Sequence, residues 1–319
     1  MIASTYRAPC WLPGGHAQTI YPLLIKGPVP AYQRERWVTP DADFIDLDWL
    51  PGPLEAPLVV LFHGLEGSSS SHYARALMRA LQARSWRGVV VHFRGCSGEP
   101  NLLPRAYHSG DADEIDWILQ RLRAAHPHTR LHVVGVSLGG NALLKWAGTR
   151  GHAASRLADS IAAISAPLDV TQAGHSMARP GNRIYQHNFL VTMKAVAAEK
   201  HRRFPGLFDA ARAARATTLA EFDDAFTAPL HGFKDVHDFW RRVSSKPDLP
   251  SVRLPSLVLN ARNDPFLPAA ALPVDHEVSP RVQLEQPQEG GHVGFAAGLF
   301  PGTIDWLPHR VIQFFSLGT

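Results

Sequence analysis

The segment 133–144 carries the pattern Gly-x-Ser-x-Gly, with Ser137 at its centre, within the run VVGVSLGGNALL. An unbroken apolar run precedes the pattern and apolar residues at helical spacing follow it, which predicts a strand, a sharp turn and a helix. Such a turn pushes the serine side chain out of the sheet in a strained backbone conformation, and Gly135 and Gly139 let the strand and the helix approach closely. A chance Gly-Ser turn is the alternative, but this context favours a nucleophilic serine.

An activated serine needs a base and an acid, and two residues downstream of Ser137 are placed for these roles. Asp264 and His292 each come just past the end of a predicted strand. In serine hydrolases of the α/β type, the chain order is nucleophile, acid, histidine. His292 would take the Ser137 proton and return it to the leaving group, while Asp264 would hold the imidazole in the required tautomer. Asp169 also follows a predicted strand, at residues 161–165, and is the alternative acid.

The segment 63–67 reads His-Gly-Leu-Glu-Gly and follows a buried apolar run. A loop of this form places a backbone N–H, here that of Leu65, opposite the nucleophile. The N–H of Leu138, at the start of the helix after Ser137, would be the second donor of an oxyanion hole. An ordinary strand-ending turn is the alternative interpretation of this segment.

Further segments with a distinctive form are residues 14–19 (GGHAQT), 93–101 (FRGCSGEPN), 107–110 (YHSG), 221–224 (EFDD) and 291–295 (GHVGF). With the Ser137 and His63 segments, they make the chain resemble the YheT-like family of α/β-hydrolases, which is similar to the animal abhydrolase proteins with esterase or phospholipase activity. The resemblance covers nearly the whole chain and implies a triad of Ser137, Asp264 and His292. One small departure is Ala42, where the family usually has Gly in a hairpin turn.

Strand and helix patterns alternate along the chain, which predicts an α/β fold with a mostly parallel central sheet flanked by helices. The predicted strand 43–49 alternates apolar with acidic positions and is expected to pair with 34–39 as an antiparallel hairpin, whereas the later strands are nearly unbroken apolar runs, as in a sheet covered on both faces. One helix begins with a capping-box pattern at Asp111 and Glu114. The predicted strands are 34–39, 43–49, 58–62, 88–93, 131–135, 161–165, 256–260 and 281–284, and the main predicted helices are 72–84, 111–125 and 303–317.

Residues 168–250 interrupt this alternation, because helical segments follow one another there without a convincing strand. We therefore expect an α/β-hydrolase core formed by residues 1–167 and 251–319, with residues 168–250 inserted as a helical cap. In this fold, an insertion between the nucleophile and the acid usually lies over the strand ends that carry the reactive residues. It would form a lid, and a minority of its aromatic side chains would line the substrate cleft.

The charges and the cysteines restrict the classes of function. The net charge is +4, and the charged residues are interspersed rather than clustered, which argues against a nucleic-acid partner. Cys10 and Cys96 match no metal-ligand spacing and indicate free thiols in a reducing compartment. No apolar run approaches the ~20 residues that span a bilayer, and the first residues lack the apolar core of a signal peptide. We expect a cytoplasmic protein without cofactor or metal, and its oligomeric state stays open.

The leading hypothesis is a serine hydrolase that cleaves carboxylic esters, medium-chain or lipid-like, through an acyl-enzyme. Acyl transfer to an alcohol would use the same residues and stays open, as does a binding module on the same fold, which an intact set of reactive residues disfavours. A haloalkane dehalogenase is disfavoured because it would carry Asp in place of Ser137. Arg94 is expected to bond loop carbonyls, because hydrolysis of an uncharged ester needs no cationic clamp. A phosphate-bearing substrate would give Arg94 another role.

Overall fold

The computed structural model describes residues 1–25 and 27–317, and in this part of the chain eight strands form one sheet. The strands are β1 (Gln33–Val38), β2 (Phe44–Leu50), β3 (Leu58–Phe62), β4 (Arg87–Val91), β5 (Leu131–Val136), β6 (Ser160–Ile164), β7 (Ser256–Leu259) and β8 (Val282–Glu285). Their order across the sheet is β1-β2-β4-β3-β5-β6-β7-β8. β2 pairs antiparallel with β1 and β4, and the other pairs are parallel. This arrangement confirms the predicted α/β class with a mostly parallel sheet.

The described residues also form twelve α-helices, five of which pack on the two faces of this sheet. They are α1 (Gly15–Ile20), α2 (His72–Gln82), α3 (Ala112–Ala125), α4 (Leu138–Arg150), α5 (Ala154–Leu157), α6 (Val170–Met177), α7 (Arg183–Arg203), α8 (Ala210–Arg215), α9 (Leu219–Phe222), α10 (Ala228–Leu230), α11 (Val236–Val243) and α12 (Trp306–Leu317). α3, α4 and α5 cover one face of the sheet, and α2 and α12 cover the other. The predicted flanking helices are thus present, with α12 beginning three residues later than expected.

The central strands fill two cores at once, which explains their unbroken apolar runs. In β3, Leu58, Val60 and Phe62 pack toward the face covered by α3 and α4. Val59 and Leu61 of the same strand pack toward α2 and α12. Because successive side chains of a strand point to opposite faces, a strand covered on both faces has no position that faces water.

Residues 168–250, all of them described, form helices α6 to α11 and turns and contain no strand. Apolar side chains of these helices make clusters of their own. The C-terminal end of α7 is attached to the loop after β4. There the buried Lys200 ammonium donates to Asn101 Oδ1 at 2.9 Å, and the Arg203 guanidinium donates to the Asn101 carbonyl oxygen at 2.7 Å.

Two observations bear on the thiols and on membranes. Cys10 and Cys96 form no disulfide. Burial raises the pKa of the Cys96 thiol, so this thiol is a poor nucleophile. Of the helices in the described residues, none combines the length and the apolar character that crossing a membrane requires.

The start of α3 differs from the prediction. The helix begins at Ala112, and the Asp111 side chain makes no capping hydrogen bond. Its carboxylate accepts from Arg105, while the Glu114 carboxylate accepts from Arg94 at 2.7 Å and from Arg105 at 3.2 Å. The predicted capping box is wrong, because Arg94 and Arg105 of the preceding loop engage the two carboxylates in charge-assisted hydrogen bonds.

Arg94 joins the turn between β1 and β2 to α3. It is buried, and its guanidinium donates to Asp41 at 2.7 Å, to Asp43 at 3.3 Å and to Glu114 at 2.7 Å. The prediction that Arg94 bonds loop carbonyls is therefore wrong, because its partners are carboxylates. Ala42 in the same turn has a φ of 64°, a left-handed conformation that favours glycine. The ion pairs of Arg94 thus hold a strained turn in place.

We expect Arg94→Met to lower the free energy of unfolding by about 3–5 kcal/mol, because it leaves buried carboxylates without their cation. Urea denaturation measures this loss. Arg202→Met is the matched control, since it removes an ion pair between exposed side chains on α7 and should cost less than about 1 kcal/mol. An Arg94→Met protein of unchanged stability that loses its catalytic activity would contradict this structural role and would point to substrate contact.

Candidate active site

Ser137 is the single residue between the end of β5 and the start of α4. Its φ is 53° and its ψ is −118°, a conformation that non-glycine residues adopt at an energetic cost. The Ser137 N–H donates to the Ile164 carbonyl oxygen at 2.8 Å, which ties this turn to β6. The turn therefore has the strained form that the sequence pattern predicts.

Two glycines allow this turn because backbone atoms lie where a Cβ atom would be. A Cβ on Gly135 would lie 2.5 Å from the Gly139 carbonyl oxygen, and a Cβ on Gly139 would lie 2.5 Å from the His63 carbonyl oxygen. α4 therefore begins in direct contact with the end of β3, where the segment 63–67 starts. This contact brings the loop after β3 to the nucleophile.

Ser137, His292 and Asp264 form one hydrogen-bonded chain. His292 Nε2 lies 2.9 Å from Ser137 Oγ, and His292 Nδ1 lies 2.8 Å from Asp264 Oδ2. Asp264 is buried, and the His292 side chain is 11% exposed. With the proton on Nδ1 donated to the carboxylate, Nε2 is left as the acceptor that faces the serine hydroxyl. The ring of Phe266 covers the imidazole, with 4.1 Å between the ring centres.

The loop that carries His292 is fixed by residues of α1. The Thr19 hydroxyl accepts the His292 N–H at 2.8 Å. Gln18 is fully buried, and its Oε1 accepts from the Gly290 N–H at 2.9 Å and from the Asn263 amide at 2.8 Å. In the sequence, this segment, residues 14–19, is recognisable as a family motif, and its pattern indicates no role. Its role here is to position the two loops that supply the acid and the histidine.

Asp169, the alternative acid, lies elsewhere. It precedes α6, and its carboxylate accepts the Gln172 N–H at 3.0 Å as an N-terminal cap. The carboxylate that contacts His292 is that of Asp264. Arg94 also lies apart from Ser137, because it lines a different cleft near Asp41 and Trp117.

The two expected oxyanion-hole donors lie beside the serine. Leu65 and Leu138 line the same pocket as Ser137. Within the described residues, neither backbone N–H donates a hydrogen bond to the protein. A Cβ on Gly64 would lie 3.1 Å from Ser137 Cβ, so the loop after β3 contacts the nucleophile directly. Both N–H groups are thus available to a bound oxygen atom.

The pocket at Ser137 is lined mainly by apolar side chains, many of them from residues 168–250. Phe189, Met193, Phe239 and Trp240 belong to this lining. Other aromatic residues of the same segment pack among its own helices instead. An apolar pocket beside a serine suits the apolar part of a ligand.

Asp223 contributes a carboxyl group to this mainly apolar wall. It begins a π-helical turn, Asp223–Thr227, and such turns are frequent at functional sites. Its two oxygens accept from the Thr227 hydroxyl at 2.7 Å and from Trp240 Nε1 at 2.8 Å. Burial raises the pKa of Asp223 from 3.8 to about 6. The motif at 221–224 marks this position in the sequence, although the pattern indicates no role for Asp223.

The chain is similar to a known protein family and to curated proteins over most of its length. Residues 57–298 match the family model of the alpha/beta hydrolase fold. The Escherichia coli (strain K12) protein "Putative esterase YheT" is 38% identical over 304 residues, which cover 93% of this chain and 88% of that protein. Human "Phospholipase ABHD3" is 28% identical, and the match covers 98% of this chain and 79% of that protein.

Solved structures show the same fold. The Pyrococcus furiosus esterase Pf2001 matches with a TM-score of 0.55 and 15% identity, covering 90% of this chain and 92% of that one. The alpha/beta hydrolase domain-containing protein 10 from mouse matches with a TM-score of 0.57 and 14% identity, covering 90% of this chain and 100% of that one.

We expect Asp223→Asn to become more stable relative to the native protein as pH rises. The folded state binds the Asp223 proton more tightly than the unfolded state, because the pKa is raised from 3.8 to about 6. The stability that this group contributes is therefore full below about pH 4 and is lost as pH rises through about 6. Asn does not titrate, so the difference in Tm between variant and native protein should increase over this range, as thermal melts at several pH values will show.

The neighbouring carboxylate is the matched control. A hydrogen bond from the Val236 N–H lowers the pKa of Asp224, so Asp224→Asn should become less stable relative to the native protein as pH rises. Tm differences that change in the same direction for both variants would contradict the opposite environments of the two groups.

Proposed function

The chain belongs to the α/β-hydrolase family and, within it, to the YheT-like proteins, and from this premise we propose that it is a serine hydrolase of carboxylic esters. The observation that carries the proposal is the hydrogen-bonded chain from Ser137 through His292 to Asp264. The names of the relatives, an esterase and a phospholipase, support the same class of reaction. Chain order also agrees, since nucleophile, acid and histidine follow one another as in other members of the fold.

In the proposed mechanism, Ser137 Oγ attacks the ester carbonyl carbon while His292 Nε2 takes the hydroxyl proton. His292 then gives this proton to the leaving alcohol, and an acyl-enzyme remains. The same imidazole activates the water that releases the acid. Asp264 holds the imidazole tautomer and stabilises the imidazolium that forms during each step. The N–H groups of Leu65 and Leu138 bind the negatively charged oxygen of the tetrahedral intermediates.

We further propose that residues 168–250 form a cap on a core of residues 1–167 and 251–319, and that the cap binds the acyl chain. Its apolar residues contribute much of the pocket wall beside Ser137. Burial of apolar surface is the main source of affinity available in such a pocket. Esters with a medium-length acyl chain, including lipid-like esters, are therefore the substrates that fit best.

A fluorophosphonate should label the native protein at Ser137, and Ser137→Ala should lose both the label and ester hydrolysis. We expect at least about a thousandfold loss of kcat, because the members of a triad act as a unit. Mass spectrometry locates the label, and titration of the released acid measures the hydrolysis. A label that persists in Ser137→Ala would disprove the assignment.

Two carboxylate variants provide the internal control for this experiment. Asp264→Asn should lower kcat by about 10⁴ because it favours the wrong imidazole tautomer. Asp169→Asn should leave turnover nearly unchanged and cost at most about 1 kcal/mol of stability, because an asparagine caps a helix almost as well. The reverse ranking would transfer the acid to Asp169.

The value of kcat/KM should rise from acetyl to medium-chain p-nitrophenyl esters. Each methylene that becomes buried contributes ~0.8 kcal/mol, which corresponds to about a fourfold increase per carbon atom. Met193→Trp narrows the pocket and should reduce activity on octanoyl esters more than on acetyl esters. Ile184→Trp, on the exposed side of the same helix α7, is the control that should change neither. A constant preference for acetyl esters would contradict the proposed role of the cap.

A further inference from the structure

The loop after β3 is held by more hydrogen bonds than a strand-ending turn needs. The Gly64 N–H donates to the Tyr73 hydroxyl at 2.9 Å, and the Glu66 N–H donates to the Tyr107 hydroxyl at 2.8 Å. These two N–H groups flank that of Leu65, which donates to none of the described residues. Two tyrosines from separate segments therefore occupy the neighbouring donors and leave the central one available.

His63 fixes the peptide plane that contains this central donor. The Phe93 N–H donates to His63 Nε2 at 3.1 Å, so the proton of the neutral ring is on Nδ1, which donates to the Gly64 carbonyl oxygen at 2.7 Å. Burial lowers the pKa of His63 to about 3, which keeps the ring neutral. In a trans peptide, the Gly64 C=O and the Leu65 N–H point in opposite directions. Holding the carbonyl oxygen therefore sets the direction of the N–H.

Glu66 is held in a conformation that it would not adopt alone. Its φ is 54°, in the left-handed region that favours glycine. Tyr107 bonds this residue twice, since the hydroxyl accepts the Glu66 N–H and donates to Glu66 Oε1 at 2.8 Å. The Tyr107 ring stacks on Phe93, with 5.2 Å between centres and 2° between planes. Strain that is held in this way at a site is a sign of preorganisation.

We propose that Tyr73 and Tyr107 are positioning residues for the oxyanion hole. This proposal rests on the ester-hydrolase function proposed above. By engaging the Gly64 and Glu66 N–H groups, they hold the loop so that, of these three neighbouring donors, only the Leu65 N–H faces the oxygen of the tetrahedral intermediate, with Leu138 as the second donor. A donor fixed before the reaction stabilises the developing charge without the cost of reorganisation. The motif segments at 63–67 and 107–110 thus act together, since Tyr107 of the second segment holds Glu66 of the first.

The test compares Tyr73→Phe and Tyr107→Phe with the native full-length protein. Each change should lower kcat for a medium-chain ester about tenfold while KM changes less than about twofold, because the hole acts on the transition state more than on the bound ester. Affinity for a trifluoromethyl ketone, which forms a tetrahedral oxyanion adduct with a serine, should fall by a similar factor. Tyr21→Phe is the control, since its exposed hydroxyl donates to the Pro301 carbonyl oxygen away from the loop.

Glu66 variants separate positioning from simple support of the fold. Glu66→Gln keeps an acceptor for the Tyr107 hydroxyl and should retain more of kcat than Glu66→Ala, which removes it. Thermal melts of all variants identify the folded fraction, to which each kcat is normalised. A purely structural role for the tyrosines would lower Tm and leave kcat per folded molecule unchanged.

The outcomes distinguish this proposal from the one on which it rests. If the native protein hydrolyses esters and is labelled at Ser137, but both tyrosine variants keep the native kcat and the native affinity for the ketone, the positioning role is wrong and the hydrolase function stands. If the native protein is neither labelled at Ser137 nor active on any ester tested, both proposals fail. A parallel loss of kcat and ketone affinity in both tyrosine variants supports the positioning role.

Discussion

The left-handed backbone of Ser137 is the constraint on which the site depends. A serine adopts a φ of 53° only where its surroundings hold it there. The Ile164 carbonyl oxygen accepts its N–H, and Gly139 lets α4 start directly on the end of β3. The loop that bears Leu65 and the N–H of Leu138 are both placed relative to this turn. A relaxed turn would separate the hydroxyl from both donors.

Parallel strands bring the reactive loops to one edge of the sheet, but they do not set the final distances. β7 and β8 lie side by side, so the loops after them emerge together. The contacts that hold Asp264 and His292 in register come from the N-terminal segment, where Gln18 and Thr19 bond backbone and amide groups of both loops. The strand order therefore brings the two reactive loops close together, and side-chain hydrogen bonds fix the distances between their residues.

Features that depend on local interactions could be predicted from the sequence, whereas features that depend on contacts between distant segments could not. All eight predicted strands lie within two residues of the observed ones in the described part of the chain, because an apolar run is a local signal. Chain order and the ends of the predicted strands placed Asp264 and His292 as candidates, but they left Asp169 as an alternative acid. The partners of Arg94 were missed because its guanidinium pairs with carboxylates of two segments that are distant in sequence, the turn between β1 and β2 and helix α3. The capping box at Asp111 was wrongly predicted because Arg105 engages the Asp111 carboxylate. The place of Asp223 in the pocket wall depends on the packing of short helices, which no periodicity defines.

Tyr107 belongs to two parts of the site at once. Its hydroxyl bonds Glu66 in the loop that bears Leu65, and its ring lines the pocket beside Ser137. An acyl chain that fills this pocket therefore packs against the residue that we assign to the oxyanion loop. Such contact restricts the tyrosine further and, through it, the donor. Binding energy from the remote end of a substrate would then raise kcat as well as affinity, which is the most effective use of such energy in catalysis.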